Sequence, residues 1–257
     1  MSSTAYIETS LSEHILSIRF NRPTRKNAIN FEMYDALANS FSEADSNPDI
    51  RVVFLSGNKE CFCAGNDLSD FKNGGSTQGK KSPGARFLTE IRECSKPIIA
   101  AVAGPAIGVG TTMLLHCDLV YAAPCAIFKM PFTQLGLCPE AASSYLIPAL
   151  IGQQRASELL LLGRTLTADK ARDYGLINDI VEIELIETAY NSALELAALP
   201  PGSVQLSKKL MKEPILEATR KADKNELLGF SERLSSDESR EAMSAFFEKR
   251  PPDFSHF

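Results

Sequence analysis

Residues 97–112 read PIIAAVAGPAIGVGTT. Pro97 opens the most apolar run of the chain, Ile98–Ala103, and the absence of polar alternation marks a strand buried on both faces. Gly104-Pro105 ends that strand, and the glycines at 108 and 110 lead into a short apolar helix over Thr111–His116. A glycine-rich strand-to-helix turn of this kind leaves free amides pointing outward at a helix N-terminus. Working outward, Ile15–Phe20 alternates like a strand, and Asn30–Ala44 carries Phe31, Tyr34, Leu37, Ala38 and Phe41 on one helical face. Val52–Ser56 is a further strand ending at Gly57. Beyond the quoted stretch, Leu119–Ala122 and Ala126–Met130 read as strands, and Ala142–Leu162 as two helices broken near Gly152. Strand and helix in turn specify an α/β domain with right-handed crossovers.

Two segments break that rhythm. Lys72–Gly84 (KNGGSTQGKKSPG) is rich in glycine, serine and lysine and reads as a mobile surface loop. From about Pro200 the chain changes character, with a proline pair followed by charged amphipathic stretches through Lys249 and no strand-like run. This divides the sequence into an α/β core over residues 1–199 and a helical C-terminal region over residues 200–257.

Composition narrows the function classes. The 257 residues are 44% hydrophobic and 23% charged, ordinary for a globular protein and long enough for a sizeable core. Lys plus Arg number 27 against 32 Asp plus Glu, a formal charge of −5. That balance, with no basic stripe, argues against nucleic acid as a partner. Apolar runs stop well short of a membrane span. The N-terminus, MSSTAYIETSLSEH, lacks the basic and apolar segments of a secretory signal. Six cysteines are too few for a disulfide scaffold in a chain of this length, so a reducing, intracellular setting is expected, cytoplasmic in a bacterial host. The final Ser-His-Phe shares only its serine with the peroxisomal address and does not establish one. Cys61 and Cys63 lie two apart without a second Cys/His cluster at zinc spacing, so no metal site is expected.

The common catalytic signatures are missing: no Gly-x-Ser-x-Gly elbow, no phosphate loop at Gly79-Lys80-Lys81-Ser82, no His-Glu-x-x-His. The spacing of Gly104, Gly108 and Gly110 is wrong for a dinucleotide turn. Only His14, His116 and His256 are available, and His116, inside an apolar helix, reads as a core residue. Chemistry therefore falls to carboxylates and backbone amides. Two segments suit it: Ala64–Leu68, where small residues let the backbone approach a ligand, and Gly104–Thr111. Together they are either an oxyanion hole or simply two tight turns.

Ala64-Gly65-Asn66-Asp67-Leu68 and Gly104-Pro105-Ala106-Ile107-Gly108-Val109-Gly110, followed by Cys117-Asp118 and Leu135-Gly136-Leu137-Cys138-Pro139-Glu140, resemble the crotonase (enoyl-CoA hydratase/isomerase) superfamily. The resemblance extends from Asn21-Arg22-Pro23 and Lys26-Asn27-Ala28 through Gly152 and Ala168-Ala171-Gly175-Leu176-Ile177 to Glu248-Lys249-Arg250. It implies a spiral of ββα units, a C-terminal helical region that builds a homotrimer or a dimer of trimers, and an acyl-CoA substrate. Coenzyme A is then part of the substrate, and no separate cofactor is implied. It further implies that the amides of Asn66 and Val109 hold the thioester oxygen. Lys26, Ala28, Ala64, Gly65, Asn66, Asp67 and Leu68 would contact the coenzyme A moiety, as would Lys249 on a neighbouring subunit.

The glutamates separate the activities within that resemblance. The two positions that carry the hydratase carboxylates match Thr112 and Phe132 here, and neither side chain moves a proton at neutral pH. Glu140, within Leu-Gly-Leu-Cys-Pro-Glu-Ala-Ala-Ser-Ser, is similar in placement to the single catalytic glutamate of peroxisomal-type Δ3,Δ2-enoyl-CoA isomerases. The expected reaction is migration of a double bond from C3 to C2 in fatty-acid β-oxidation, with Glu140 carrying the proton from C2 to C4. Enoyl-CoA hydration or another acyl-CoA reaction on this fold is the alternative. A noncatalytic or RNA-binding member of the fold is the alternative from another class. Ahead of a helix over Ala141–Leu146, Glu140 would feel both a helix dipole favouring its anion and apolar neighbours favouring the neutral acid. Arg92 and Asp118 read as structural.

Overall fold

The computed structural model describes residues 6–72 and 82–257. In chain order the elements are β1 (Ile7–Ser12), β2 (Ile15–Phe20), α1 (Phe31–Ser46), β3 (Val52–Ser56), α2 (Leu68–Lys72), α3 (Pro83–Glu93), β4 (Ile98–Val102), β5 (Pro105–Ile107) and α4 (Val109–Thr112). There follow β6 (Leu119–Ala122), β7 (Ile127–Lys129), α5 (Ser143–Ile151), α6 (Gln153–Leu160), β8 (Leu166–Thr167), α7 (Ala168–Asp173), β9 (Asp179–Ile180), α8 (Leu185–Ala198), α9 (Pro201–Leu234) and α10 (Asp237–Glu248).

Two sheets share the strands. The larger runs β1-β2-β3-β4-β6-β9, antiparallel between β1 and β2 and parallel from there on. The smaller runs β5-β7-β8. Successive turns of chain therefore give one strand to each sheet, β4 then β5, and β6 then β7. The same alternation continues in single bridges, Ile29 with Asn66 and Cys63 with Ala106. This is the spiral of ββα units expected from the resemblance.

Every residue of β3 and β4 is buried, in keeping with sequences that are apolar throughout except for Ser56 at the end of β3. Alternate residues serve two different cores. Val53, Leu55, Ile98, Ala100 and Val102 face the larger one, with Met33, Leu37 and Phe41 of α1 and Phe87 and Ile91 of α3. Val52, Phe54, Ile99 and Ala101 face the other way, onto Ala189, Ala193 and Ala197 of α8. An alanine at every fourth position lets α8 lie close on the sheet, and its Tyr190 meets Phe54 edge to face at 5.4 Å.

The helix starts have local causes. Asn30 caps α1 by accepting from the Met33 amide at 2.9 Å, and Ser82 caps α3 by accepting from the Ala85 amide at 3.2 Å, with Pro83 in the first turn. The expected loop over Lys72–Gly84 is thus shorter at both ends: Lys72 closes α2, and Pro83 and Gly84 open α3. The stretch 73–81 lies outside the described residues.

The C-terminal region is helical, as expected, and is dominated by the 34-residue α9, about 50 Å long. Lys208 ties α9 to the sheet through Asp118, whose carboxylate accepts from its Nζ at 2.7 Å and from the Ile98 amide at 2.7 Å. Phe230 and Leu234 pack onto the larger core. No helix among the described residues is long and apolar enough to cross a membrane.

Candidate active site

The two glycine turns meet. A Cβ on Gly65 would sit 4.0 Å from the Gly108 Cα and 2.9 Å from the Ile107 carbonyl oxygen, and Gly65 holds φ at +91°. A Cβ on Gly110 would lie 2.6 Å from the Cys63 carbonyl oxygen. Side chains at either place would force the turns apart.

The bridge at Ile29 determines which amides are free. Ile29 donates to the Gly65 carbonyl at 2.8 Å, and the Asp67 amide donates to the Ile29 carbonyl at 2.9 Å. A parallel pairing of this kind engages the neighbours of Asn66 and turns its own N–H off the ladder. Val109 is the first residue of α4, so its N–H has no partner one turn back. Among the described residues neither amide meets a protein acceptor. The Tyr34 hydroxyl donates to the Asn66 side-chain oxygen and fixes that residue from α1.

Some of the neighbouring residues are committed within the protein and others are exposed. Asp67 is spent internally, since Arg22 reaches it at 2.7 Å and the Ser69 hydroxyl at 2.6 Å. Burial opposes the charge, but these donors outweigh it and hold the carboxyl below its ordinary range. The carbonyl of Ala28 accepts from the same guanidinium at 2.8 Å. Lys26 is exposed, and its carbonyl accepts from the Ala64 amide at 3.0 Å, which places it beside the Ala64–Leu68 turn. Lys249 stands apart, an exposed left-handed cap of α10 whose N–H is directed at Ala245 and Phe246.

Glu140 is 8% exposed and forms part of the wall of a cavity of about 720 Å³ that also reaches Asn66 and Tyr34. Its carboxylate accepts from the Thr112 hydroxyl. Burial pushes the carboxyl up to about 8 against that hydrogen bond, and the charges of Glu226 and Asp223 add to the push. The sequence-level contest between dipole and burial is thus decided for burial. The helix begins at Ser143 rather than Ala141, and its leading amides face another group. Ala142 and Ser144 donate to the Glu226 carboxylate at 2.6 and 2.7 Å.

Between Glu140 and the helix, Ala141 and Ala142 hold φ at +59° and +58°. Left-handed alanines cost about 1–2 kcal/mol each and persist only where the surroundings impose them. Ser143 anchors the Glu140 carbonyl through its amide at 3.1 Å and its hydroxyl at 2.6 Å. His116 anchors the Ala141 carbonyl at 2.9 Å. Burial, with the Lys212 charge next, pushes His116 down to about 3, so the ring is neutral and donates from Nε2.

Three carboxylates line the cavity, and two are committed. Asp223 pairs with Arg92, Glu226 with the two α5 amides, and only Glu140 is left with a single hydroxyl. Sequence reasoning missed Tyr34 as a site residue and Glu226 altogether. It set Thr112 aside as a non-base, which is chemically right, but Thr112 is the donor that holds Glu140. A smaller cavity of about 380 Å³ lies between Leu114–Val120 and Gly175–Asn178, and its one carboxylate, Asp118, is already engaged. Among the described residues no group of three or more His, Cys, Asp or Glu is placed to hold a metal ion.

Residues 10–256 match the family described as enoyl-CoA hydratase/isomerase. The rat protein named enoyl-CoA delta isomerase 2 is 35% identical over 243 residues, 92% of this chain, which spans only 62% of that longer relative. The 1,2-epoxyphenylacetyl-CoA isomerase of Escherichia coli K12 is 34% identical over 97% of this chain and 98% of its own length. A solved enoyl-CoA hydratase/isomerase from Pseudoalteromonas atlantica T6c superposes with a TM-score of 0.93 at 45% identity, covering 97% of this chain and 100% of that one.

Proposed function

Because the chain belongs to the enoyl-CoA hydratase/isomerase family, we propose that it is a Δ3,Δ2-enoyl-CoA isomerase with Glu140 as its one proton carrier. The observation that supports this most is the inequality of the three cavity carboxylates. Water addition needs one group to activate water and another to protonate carbon, whereas Asp223 and Glu226 are tied up by Arg92 and by backbone amides. Double-bond migration needs a single base that takes a proton from C2 and returns it at C4.

In this reading the thioester oxygen sits between the Asn66 and Val109 amides, each contributing on the order of 3 kcal/mol as enolate charge develops. The ionised Glu140 removes the C2 proton, the dienolate is held, and the resulting acid delivers the proton to C4. A carboxyl near 8 suits both halves, since it is a stronger base than a solvated glutamate and still gives up its proton. Coenzyme A arrives as part of the substrate, with Lys26 beside the turn that would face it. The exposed apolar residues Leu206, Leu210, Met211 and Leu228 of α9 suit a second copy of the chain, and we assign a homotrimer or a dimer of trimers. The setting is a reducing intracellular compartment, and the pathway fatty-acid β-oxidation.

A second reading, isomerisation of a ring-bearing acyl-CoA, is favoured by the likeness to the E. coli epoxyphenylacetyl-CoA isomerase over nearly the full length of both chains. One assay separates these readings. Purified protein is given 3-hexenoyl-CoA, crotonyl-CoA and an arene-epoxide acyl-CoA, and the products are identified. Faster conversion of 3-hexenoyl-CoA is the expected result. Water addition to crotonyl-CoA at an equal or greater rate would replace the isomerase with a hydratase.

A further inference from the structure

We propose that Glu226, midway along the C-terminal helix α9, is a positioning residue for Glu140, locking the left-handed turn that aims the catalytic carboxylate and keeping a negative charge beside it. The inference rests on Glu140 being the base.

Glu226 is 6% exposed on a helix otherwise rich in solvated charge. Its two oxygens accept from different amides, Oε2 from Ala142 and Oε1 from Ser144, which is the bonding of a carboxylate rather than a carboxylic acid. Those amides belong to the first turn of α5, where the helix dipole favours an anion. Ala142 is also the second of the two left-handed alanines, so the contact fixes the backbone that carries Glu140. Among the described residues Glu140 has no such donor beyond Thr112. Burial raises the Glu226 carboxyl above its ordinary range, and the Ser144 and Ala142 hydrogen bonds oppose that rise, so of the two buried carboxyls Glu226 is the one whose anion backbone amides support.

The other charges around Glu140 do not replace this one. Asp223 faces it from the same helix but carries Arg92 on its carboxylate. Lys224 and Arg220 line the cavity, and Arg220 is paired with Glu93. Tyr34 from α1, Cys63 after β3 and Cys138 in the preceding loop are neutral, all with their proton affinities raised by burial first. Cys138 packs its sulfur against the α9 backbone, 3.3 Å from where a Cβ on Gly229 would lie, so the helix docks closely here.

The test uses full-length Glu226→Gln, Glu226→Asp and Glu140→Gln. Turnover of 3-hexenoyl-CoA is measured across pH, and the Glu140 carboxyl is titrated directly by difference infrared spectroscopy, with Glu140→Gln marking its band. For Glu226→Gln, kcat falls about tenfold with KM within about twofold, and both the pH limb and the infrared midpoint move down by roughly half a unit or more, because the neighbouring negative charge is gone. Wild-type kcat in this variant overturns the proposal, as does a loss of kcat with an unmoved midpoint, the outcome of structural support alone. If Glu226→Gln does not fold, Glu226→Asp decides, since charge is kept and reach shortened. Its midpoint stays at the wild-type value while kcat falls, and an unchanged kcat overturns the proposal. An active Glu140→Gln enzyme would refute the base assignment, whereas the infrared midpoint in Glu226→Gln still reports on Glu226 independently.

Discussion

The two halves of the candidate site are supported in opposite ways. The turns at Ala64–Leu68 and Gly104–Thr111 are held mostly by backbone, through ladder bonds, bridges and glycine contacts contributed by residues 26–129, with Arg22 and Tyr34 adding side-chain bonds to Asp67 and Asn66. The turn at Glu140–Ser143 is held by side chains from elsewhere: Thr112 and His116 from the α4 region, and Glu226 from α9. In the proposed reaction the backbone amides that would meet a developing charge are aimed mainly by the fold, whereas the carboxylate that would move the proton is aimed by contacts that one substitution removes.

The sharpest way to break this contrast is Glu140→Gln. The amide keeps size and hydrogen bonding but cannot carry the proton, so kcat falls by about 10²–10⁴-fold while acyl-CoA affinity stays close to wild type. A variant retaining a tenth of kcat in steady-state assays would remove Glu140 from the chemistry. Next in size is Gly110→Ala on the backbone side. Its Cβ would meet the Cys63 carbonyl at 2.6 Å, displacing the turn that carries Val109. Loss of one amide donor costs about 10²-fold in kcat. Because Thr112 ends the same short helix, the infrared midpoint of Glu140 in this variant reports whether the displacement reaches that hydroxyl: a rise shows that the two supports are linked, and an unmoved midpoint shows that they are separate.

The smallest effect tests the Thr112 contact. With Glu140 as the base and its carboxyl pushed up to about 8, the wild-type rate is expected to rise with pH and to level above that value. The Thr112 hydroxyl stabilises the anion and lowers that midpoint, so Thr112→Val moves the rising limb to higher pH and reduces the rate at pH 7 by roughly tenfold or less. A limb displaced to lower pH would reverse the assigned direction of that hydrogen bond.

This division also explains what the sequence disclosed. Val52–Ser56 is legible residue for residue, and Ile98–Ala103 to within one residue, because a strand buried on both faces writes its burial as an apolar run. The glycine turns were legible because only glycine fits where backbones touch. The start of α5 was misplaced by two residues, since Ala141 and Ala142 are the best helix formers and nothing local predicts a left-handed conformation. Glu226 was hidden among the many charges of a solvated helix, more than eighty residues from the turn it holds. His116 was correctly read as a core residue, but burial alone does not reveal that its ring N–H holds the Ala141 carbonyl. For α3, Ser82 and Pro83 form a capped helix start that the loop reading of Lys72–Gly84 passes over.

At β3 and β4 the rear face of the large sheet is formed by Val52, Phe54, Ile99 and Ala101, and it is closed by the alanines of α8. Synthesis delivers β3 and β4 by residue 102, but the covering helix is complete only at residue 198. At about 5–20 residues per second the ribosome needs roughly 5–20 s to bridge that interval. For those seconds Val52, Phe54, Ile99 and Ala101 form a sticky surface on a nascent chain. The order of the chain's own segments thus sets the length of time for which this patch is open to other nascent chains and to chaperones.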